Sequence, residues 1–119
     1  MPYKLAVSFE IKWEDTDEGQ KEYADIYRAL NAAVKADLTD DDWWSENTAY
    51  YVLNTREAPE KFVVRVWREA GMRETKDRIL VLDARDGSGV AYGEFNDKTV
   101  FSLLPSVVRL SPVKELRLT

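Results

Sequence analysis

Residues 59–71 read Pro-Glu-Lys-Phe-Val-Val-Arg-Val-Trp-Arg-Glu-Ala-Gly, a stretch that fits a strand by composition and a helix by spacing. Its valine content favours a strand. Its spacing favours a helix, because Phe62, Val63, Val66, Trp67 and Ala70 fall on one stripe of a 3.6-residue period. Pro59 suits the first helical position, where a missing N–H costs nothing, and Gly71 suits the residue just past a helix end. The period outweighs the propensity, so the stretch is predicted helical. Phe62 and Trp67 then belong to the core between this helix and a sheet.

Upstream, Leu5, Val7, Phe9 and Ile11 alternate with Lys4, Ala6, Ser8 and Glu10, the period of a strand over residues 4–11. A polar loop follows from Trp13. Thr16 is positioned to cap a helix whose first turn carries Asp17 and Glu18. Tyr23, Ile26, Tyr27, Leu30, Ala33 and Val34 define its stripe to about Ala36. An acidic turn at 37–42 precedes Trp43–Glu46, a turn at Asn47, and the Thr/Tyr/Val-rich run Thr48–Leu53. Together these predict a short hairpin. Downstream, Ile79–Leu82 is apolar on both faces and is expected to be covered on both sides. Asp86–Gly89 is a turn. Val90–Phe95 and Thr99–Leu104, joined by Asn96-Asp97-Lys98, read as a second hairpin. Val107–Leu110 and Leu116–Leu118 alternate weakly around Pro112.

The order strand–helix–strand–strand–helix–strand predicts an α+β protein. Its expected form is a ferredoxin-like βαββαβ sandwich, an antiparallel sheet with two helices on one face, plus a C-terminal hairpin. A single domain is expected over residues 1–104, with an arm at 105–119. Leu80 and Leu82 lie opposite Ile79 and Val81, and one set of helices cannot cover both sheet faces. A homodimer is therefore expected, unless the hairpin at 90–104 covers the second face.

The chain of 119 residues has no Cys and no His. Disulfide frameworks, thiolate nucleophiles, imidazole metal sites and Ser-His-Asp catalysis are excluded together. Carboxylates, Tyr, Lys and hydroxyls remain for chemistry. The net charge of −5 argues against a dedicated nucleic-acid binder. The imbalance sits in residues 1–42, with 11 acids and 5 bases, against 11 and 12 over residues 43–119. No apolar run approaches the roughly 18 residues of a membrane span, and no signal peptide is read, so a cytoplasmic protein is expected.

Glu10 is the residue that carries most chemical interest. It ends the first strand on the side opposite the main apolar set. There it can face solvent or pair with a lysine as a strand-end charge, or hold a divalent cation if a two-fold mate supplies a second carboxylate. Asp37, Asp40, Asp41 and Asp42 fail the EF-hand pattern, since Asp42 and Thr48 stand where glycine and glutamate belong. They read as a solvated turn. Gly87-Ser88-Gly89 leads into a strand-like run rather than a helix, so a hairpin turn is preferred to a phosphate loop. Arg65, Arg68, Arg73, Lys76 and Arg78 are interleaved with Glu69, Glu74 and Asp77, the pattern of a mixed surface. Trp43 and Trp44 point to opposite faces of a strand, one toward the core and one toward an interface or ligand.

Leu5–Ile11 (LAVSFEI), Trp43–Thr55 (WWSENTAYYVLNT) and Asp77–Asp83 (DRILVLD) together resemble the small ferredoxin-like proteins related to the CRISPR-associated spacer-acquisition endoribonuclease subunit. That group includes VapD-type toxins and SinR-like sequences. The SinR-like pattern has a strand ending in Tyr-Asp-Leu, Trp-Trp ahead of a Ser-Thr-Trp strand, and an Asp-Arg-Leu-Leu-Val strand. It spans roughly residues 4–84. The resemblance implies a homodimer whose sheets meet across the non-helical face. In its nuclease members a strand-end Asp from each protomer binds magnesium there, and Glu10, following Phe9, takes that position in this chain. Two functions are thus expected to compete, with a small-ligand binder using Trp43, Trp44 and Tyr51 as a third reading. One is a non-catalytic interaction or regulatory module without a cofactor. The other is a magnesium-dependent endoribonuclease, or a nucleic-acid-binding relative, using Glu10 as metal ligand and catalytic group.

Overall fold

The computed structural model describes residues 2–110. They form an α+β protein in which the elements run β1 (Tyr3–Glu10), α1 (Asp17–Lys35), β2 (Trp43–Trp44), β3 (Tyr50–Thr55), α2 (Pro59–Ala70), β4 (Arg78–Asp83), β5 (Gly89–Gly93), α3 (Thr99–Leu103) and β6 (Val107–Arg109). One open sheet contains all six strands, in the order β2-β3-β1-β4-β5-β6. Its pairings are antiparallel except β5 with β6, which is parallel.

Alternation in β1 places Leu5, Val7 and Phe9 on one face, joined by Tyr51 and Leu53 of β3 and by Ile79 and Val81 of β4. The two long helices bury their stripes against this face. From α1 come Ile26, Leu30, Ala33 and Val34, and from α2 Phe62, Val63, Val66, Trp67 and Ala70. Thr16 caps α1 as its sequence requires, its Oγ1 accepting from the Gly19 N–H at 2.9 Å. Gly71 leaves α2 at φ +71°, and the N–H of Met72 reaches back to the Trp67 carbonyl. A side chain other than glycine resists that conformation. The helical reading of residues 59–70 holds, and so does the core placement of Phe62 and Trp67. The Trp67 ring meets Tyr92 of β5 edge-on, with centroids 4.5 Å apart.

A fully buried carboxylate fastens the layers at one end of the sheet. Asp77 accepts from the Lys12 N–H just after β1, and from Arg73 through its backbone N–H, Nε and Nη2, at 2.9–3.0 Å. Arg73 Nη1 continues to Glu22 of α1 at 2.7 Å.

Three expectations change. The hairpin at 90–104 does not form: β5 pairs with β4 across the Asp86–Gly89 turn, and Thr99–Leu103 is a short helix. The Asp97 carboxylate accepts from the Thr99 N–H, which turns the chain, and Phe101 folds back edge-on against Phe95. An alternating segment that pairs with no strand gains more from this local packing than from extension. The first arm of the earlier hairpin shrinks to Trp43–Trp44, which pairs with Leu53 and Val52. Finally, Leu80 and Leu82 are only half-buried, because α1 and α2 cover the Ile79–Val81 side alone. Of the arm expected at 105–119, Val107–Arg109 supplies the sixth strand, while the alternation at Leu116–Leu118 lies outside the described residues.

Asp83 closes β4. Arg85 donates to its oxygens from the side chain at 2.7 and 3.0 Å and from its backbone N–H at 3.0 Å, and these bonds hold the carboxyl at about 2, below its usual 3.8. A depressed carboxylate stabilises the fold fully above its unfolded value, and that stability is lost as pH falls toward the folded one. Asp83→Asn should therefore flatten the stability decline between pH 4 and 2, read from melts at stepped pH. Trp67→Ala should cost about 3–5 kcal/mol in a denaturant titration, as removal of a buried aromatic does.

Candidate functional site

The strands that bury Leu5 and Val7 turn their other side chains to the second face of the sheet. In-register pairing lines these up in rows across the strands. One row is Trp44, Val52, Ala6 and Leu82. The next runs through Tyr50, Ser8, Leu80 and Ala91, and a third joins Glu10, Arg78 and Gly93. The first row stays open, with Val52 38% and Trp44 41% exposed. The other two border α3.

Between α3 and the sheet lies a cleft of about 700 Å³. Its floor is Ser8, Glu10, Arg78 and Leu80, and its wall is apolar at Phe95, Val100, Leu103 and Leu104 and polar at Asn96, Asp97 and Thr99. Glu10 thus lies in a concave site. Its cross-strand partner is Arg78, whose Nη2 donates to Glu10 Oε2. That pairing is the pleat's doing: directly opposed residues on one face of antiparallel strands sit about 5 Å apart. The side chains remain accessible, 59% exposed for Glu10 and 33% for Arg78.

This arrangement bears on magnesium directly. A hard cation takes about six oxygen ligands, and a magnesium site usually draws one or two of them from protein carboxylates. Glu10 offers one carboxylate, already engaged by a guanidinium. Among the described residues no three acids converge on a point that would hold a metal ion. The donor set of a single chain does not fit magnesium.

The remaining candidates separate. Trp43 packs half-buried against the core under the Lys35 ammonium, 4.3 Å from its ring centre, while Trp44 faces outward. In the acidic turn, Asp42 accepts from the Thr39 N–H and hydroxyl, a local cap. Gly87-Ser88-Gly89 is the β4–β5 turn, with Asp86 accepting from the Ser88 N–H and hydroxyl. The basic concentration is spent on neighbouring acids: Arg65 on Glu57 and Glu69, Arg73 on Asp77 and Glu22, Lys76 on Glu14, and Arg78 on Glu10. Lys76 accordingly holds the Glu14 carboxyl below its usual range, first by hydrogen bond and then by charge.

The cleft wall is what sequence reasoning missed. Val100 and Leu104 stand four apart, a helical spacing, but five residues are too few for the period to show. No family model, curated protein or solved structure matches this chain. No helix among the described residues is long and apolar enough to cross a membrane.

An exposed ion pair contributes little, typically under about 1 kcal/mol. Glu10→Gln should shift unfolding by no more than that amount, and magnesium should leave the melting temperature of both proteins unchanged. Thermal melts with magnesium and with chelator check both outcomes.

Proposed function

We propose that this chain is a small cytoplasmic, non-catalytic interaction or regulatory module that acts as a homodimer, with its sheets meeting on the face that α1 and α2 leave bare. The observation that carries this reading is the row Trp44, Val52, Ala6 and Leu82, apolar across four adjacent strands and open to solvent. Contiguous exposed apolar surface of this kind marks an interaction site. A second copy related by a two-fold axis would present the same row to itself. Within this reading the first four strands form a ferredoxin-like βαββαβ unit. The order β2-β3-β1-β4 and the placement of α1 and α2 on one face support it.

The alternative is a magnesium-dependent endoribonuclease, or nucleic-acid-binding relative, of the CRISPR-associated, VapD and SinR-like group. One observation favours it: Glu10 ends β1 on the face away from α1 and α2, with a side chain 59% exposed. Against it stand the Arg78 guanidinium on that carboxylate and the net charge of −5, which repels a phosphate backbone.

Light scattering at high micromolar concentration should give twice the 13.8 kDa chain mass, and Leu82→Arg should return the monomer mass while leaving the circular dichroism intact. A monomeric wild type would overturn the dimer. Magnesium- or manganese-dependent cleavage of single-stranded RNA, lost in Glu10→Gln, would establish the alternative.

A further inference from the structure

The cleft under α3 holds an ion pair with bonding capacity left over, and Asp97 beside it adds a second carboxylate, bonded to the Thr99 N–H. Arg78 spends Nη2 on Glu10 Oε2, and among the described residues neither its Nε and Nη1 nor Glu10 Oε1 has a partner. A lone anion placed here meets the Glu10 carboxylate, and a lone cation meets the Arg78 guanidinium. The anion gains from Arg78 and loses to the carboxylates of Glu10 and Asp97, and the cation gains from those carboxylates and loses to Arg78. A zwitterion gains from both. The charges must lie a few ångströms apart, as they do across one carbon, because Glu10 and Arg78 are directly opposed on neighbouring strands. Beyond the pair the lining is apolar at Leu80, Val100 and Leu103 and polar in the loop before α3, at Asn96 and Asp97.

We infer that this cleft binds a free α-amino acid with an apolar side chain. Its carboxylate is taken by the unspent edge of the Arg78 guanidinium, in the planar geometry that group favours. Its ammonium is taken by Glu10 Oε1, and its side chain rests against Leu80, Val100 and Leu103. The volume, about 700 Å³, falls within the range of small-molecule sites and leaves room for water around so small a ligand. The ion pair thereby serves as a recognition element rather than a metal ligand. This inference goes beyond the self-association reading and does not depend on it. The cleft lies in the rows of Ser8 and Glu10, whereas the dimer row runs through Ala6. Mass reports on one and ligand titration on the other.

The probe is L-leucine, titrated calorimetrically into the full chain, with three analogues that each delete one feature. N-acetyl-L-leucine lacks the ammonium, L-leucinamide lacks the carboxylate, and glycine lacks the side chain. L-leucine should bind saturably with a Kd on the order of 1 mM, as a ligand of so few atoms in an open site allows. Each analogue should bind at least tenfold more weakly. Arg78→Gln should lose a similar factor. So should Leu103→Glu, a residue 74% exposed whose replacement leaves the core untouched. Unchanged circular dichroism and melting of both variants would assign their loss to the cleft. Absence of saturable heat with L-leucine up to roughly 20 mM, far above the expected Kd, would overturn the inference. So would N-acetyl-L-leucine or L-leucinamide binding as tightly as L-leucine, or both variants retaining full affinity.

Discussion

The buried carboxylate of Asp77 ties β1, α2 and β4 together at one end of the sheet. Burying a charge is costly unless it is paired and hydrogen-bonded, and Asp77 satisfies both conditions through Arg73 and the Lys12 N–H. In doing so it fixes where the chain leaves β1, where it leaves α2, and where β4 begins. The carbonyl of the same residue accepts from the Glu94 N–H at 2.9 Å, so β5 ends against it as well. Gly93 passes so close that a Cβ there would fall 2.1 Å from that carbonyl oxygen. The pairing of Glu10 with Arg78 follows from this fastening, because Arg78 is the next residue along.

Most of the α1 and α2 layer was legible in the sequence, because its signals are long and redundant. The stripe from Tyr23 to Val34 spans three turns, and Thr16 and Gly71 punctuate the helices at the ends where they are needed. Even the valine-rich stretch at 62–67 yielded to its period. Strand propensity reports a preference for a half-buried pleated surface, and α2 meets that preference by burying one face against a sheet.

Where the reading failed, the deciding interactions were not local in sequence. Thr99–Leu104 alternates well enough for a strand, but β4 already holds β5 on one edge and Val107–Arg109 takes the other. Neither edge of β5 was left for it. The start of β3 shifted because Ala49 adopts φ +59°, a left-handed conformation unusual for alanine, with its carbonyl bonded to the Phe9 N–H. Glu10 could be singled out as a strand-end acid, but its partner could not. Residues 10 and 78 meet only once the register of β1 against β4 is set. The cleft was illegible for the same reason, since its floor and wall are joined by tertiary packing alone.

The parallel β5–β6 pairing reaches further than one added strand. Crossovers between parallel strands are right-handed almost without exception. From β1 the chain steps across the sheet one way, through α1, to β2. From β5, which points the same way as β1, it steps in the opposite sense to reach β6. Reversing the step while keeping the hand places the intervening helix on the opposite side. Chirality thus explains why α3 stands over Glu10 and Arg78 rather than beside α2. The same reversal sets Val100 and Leu103 beside Leu80, so one sheet carries helical cover on both of its faces.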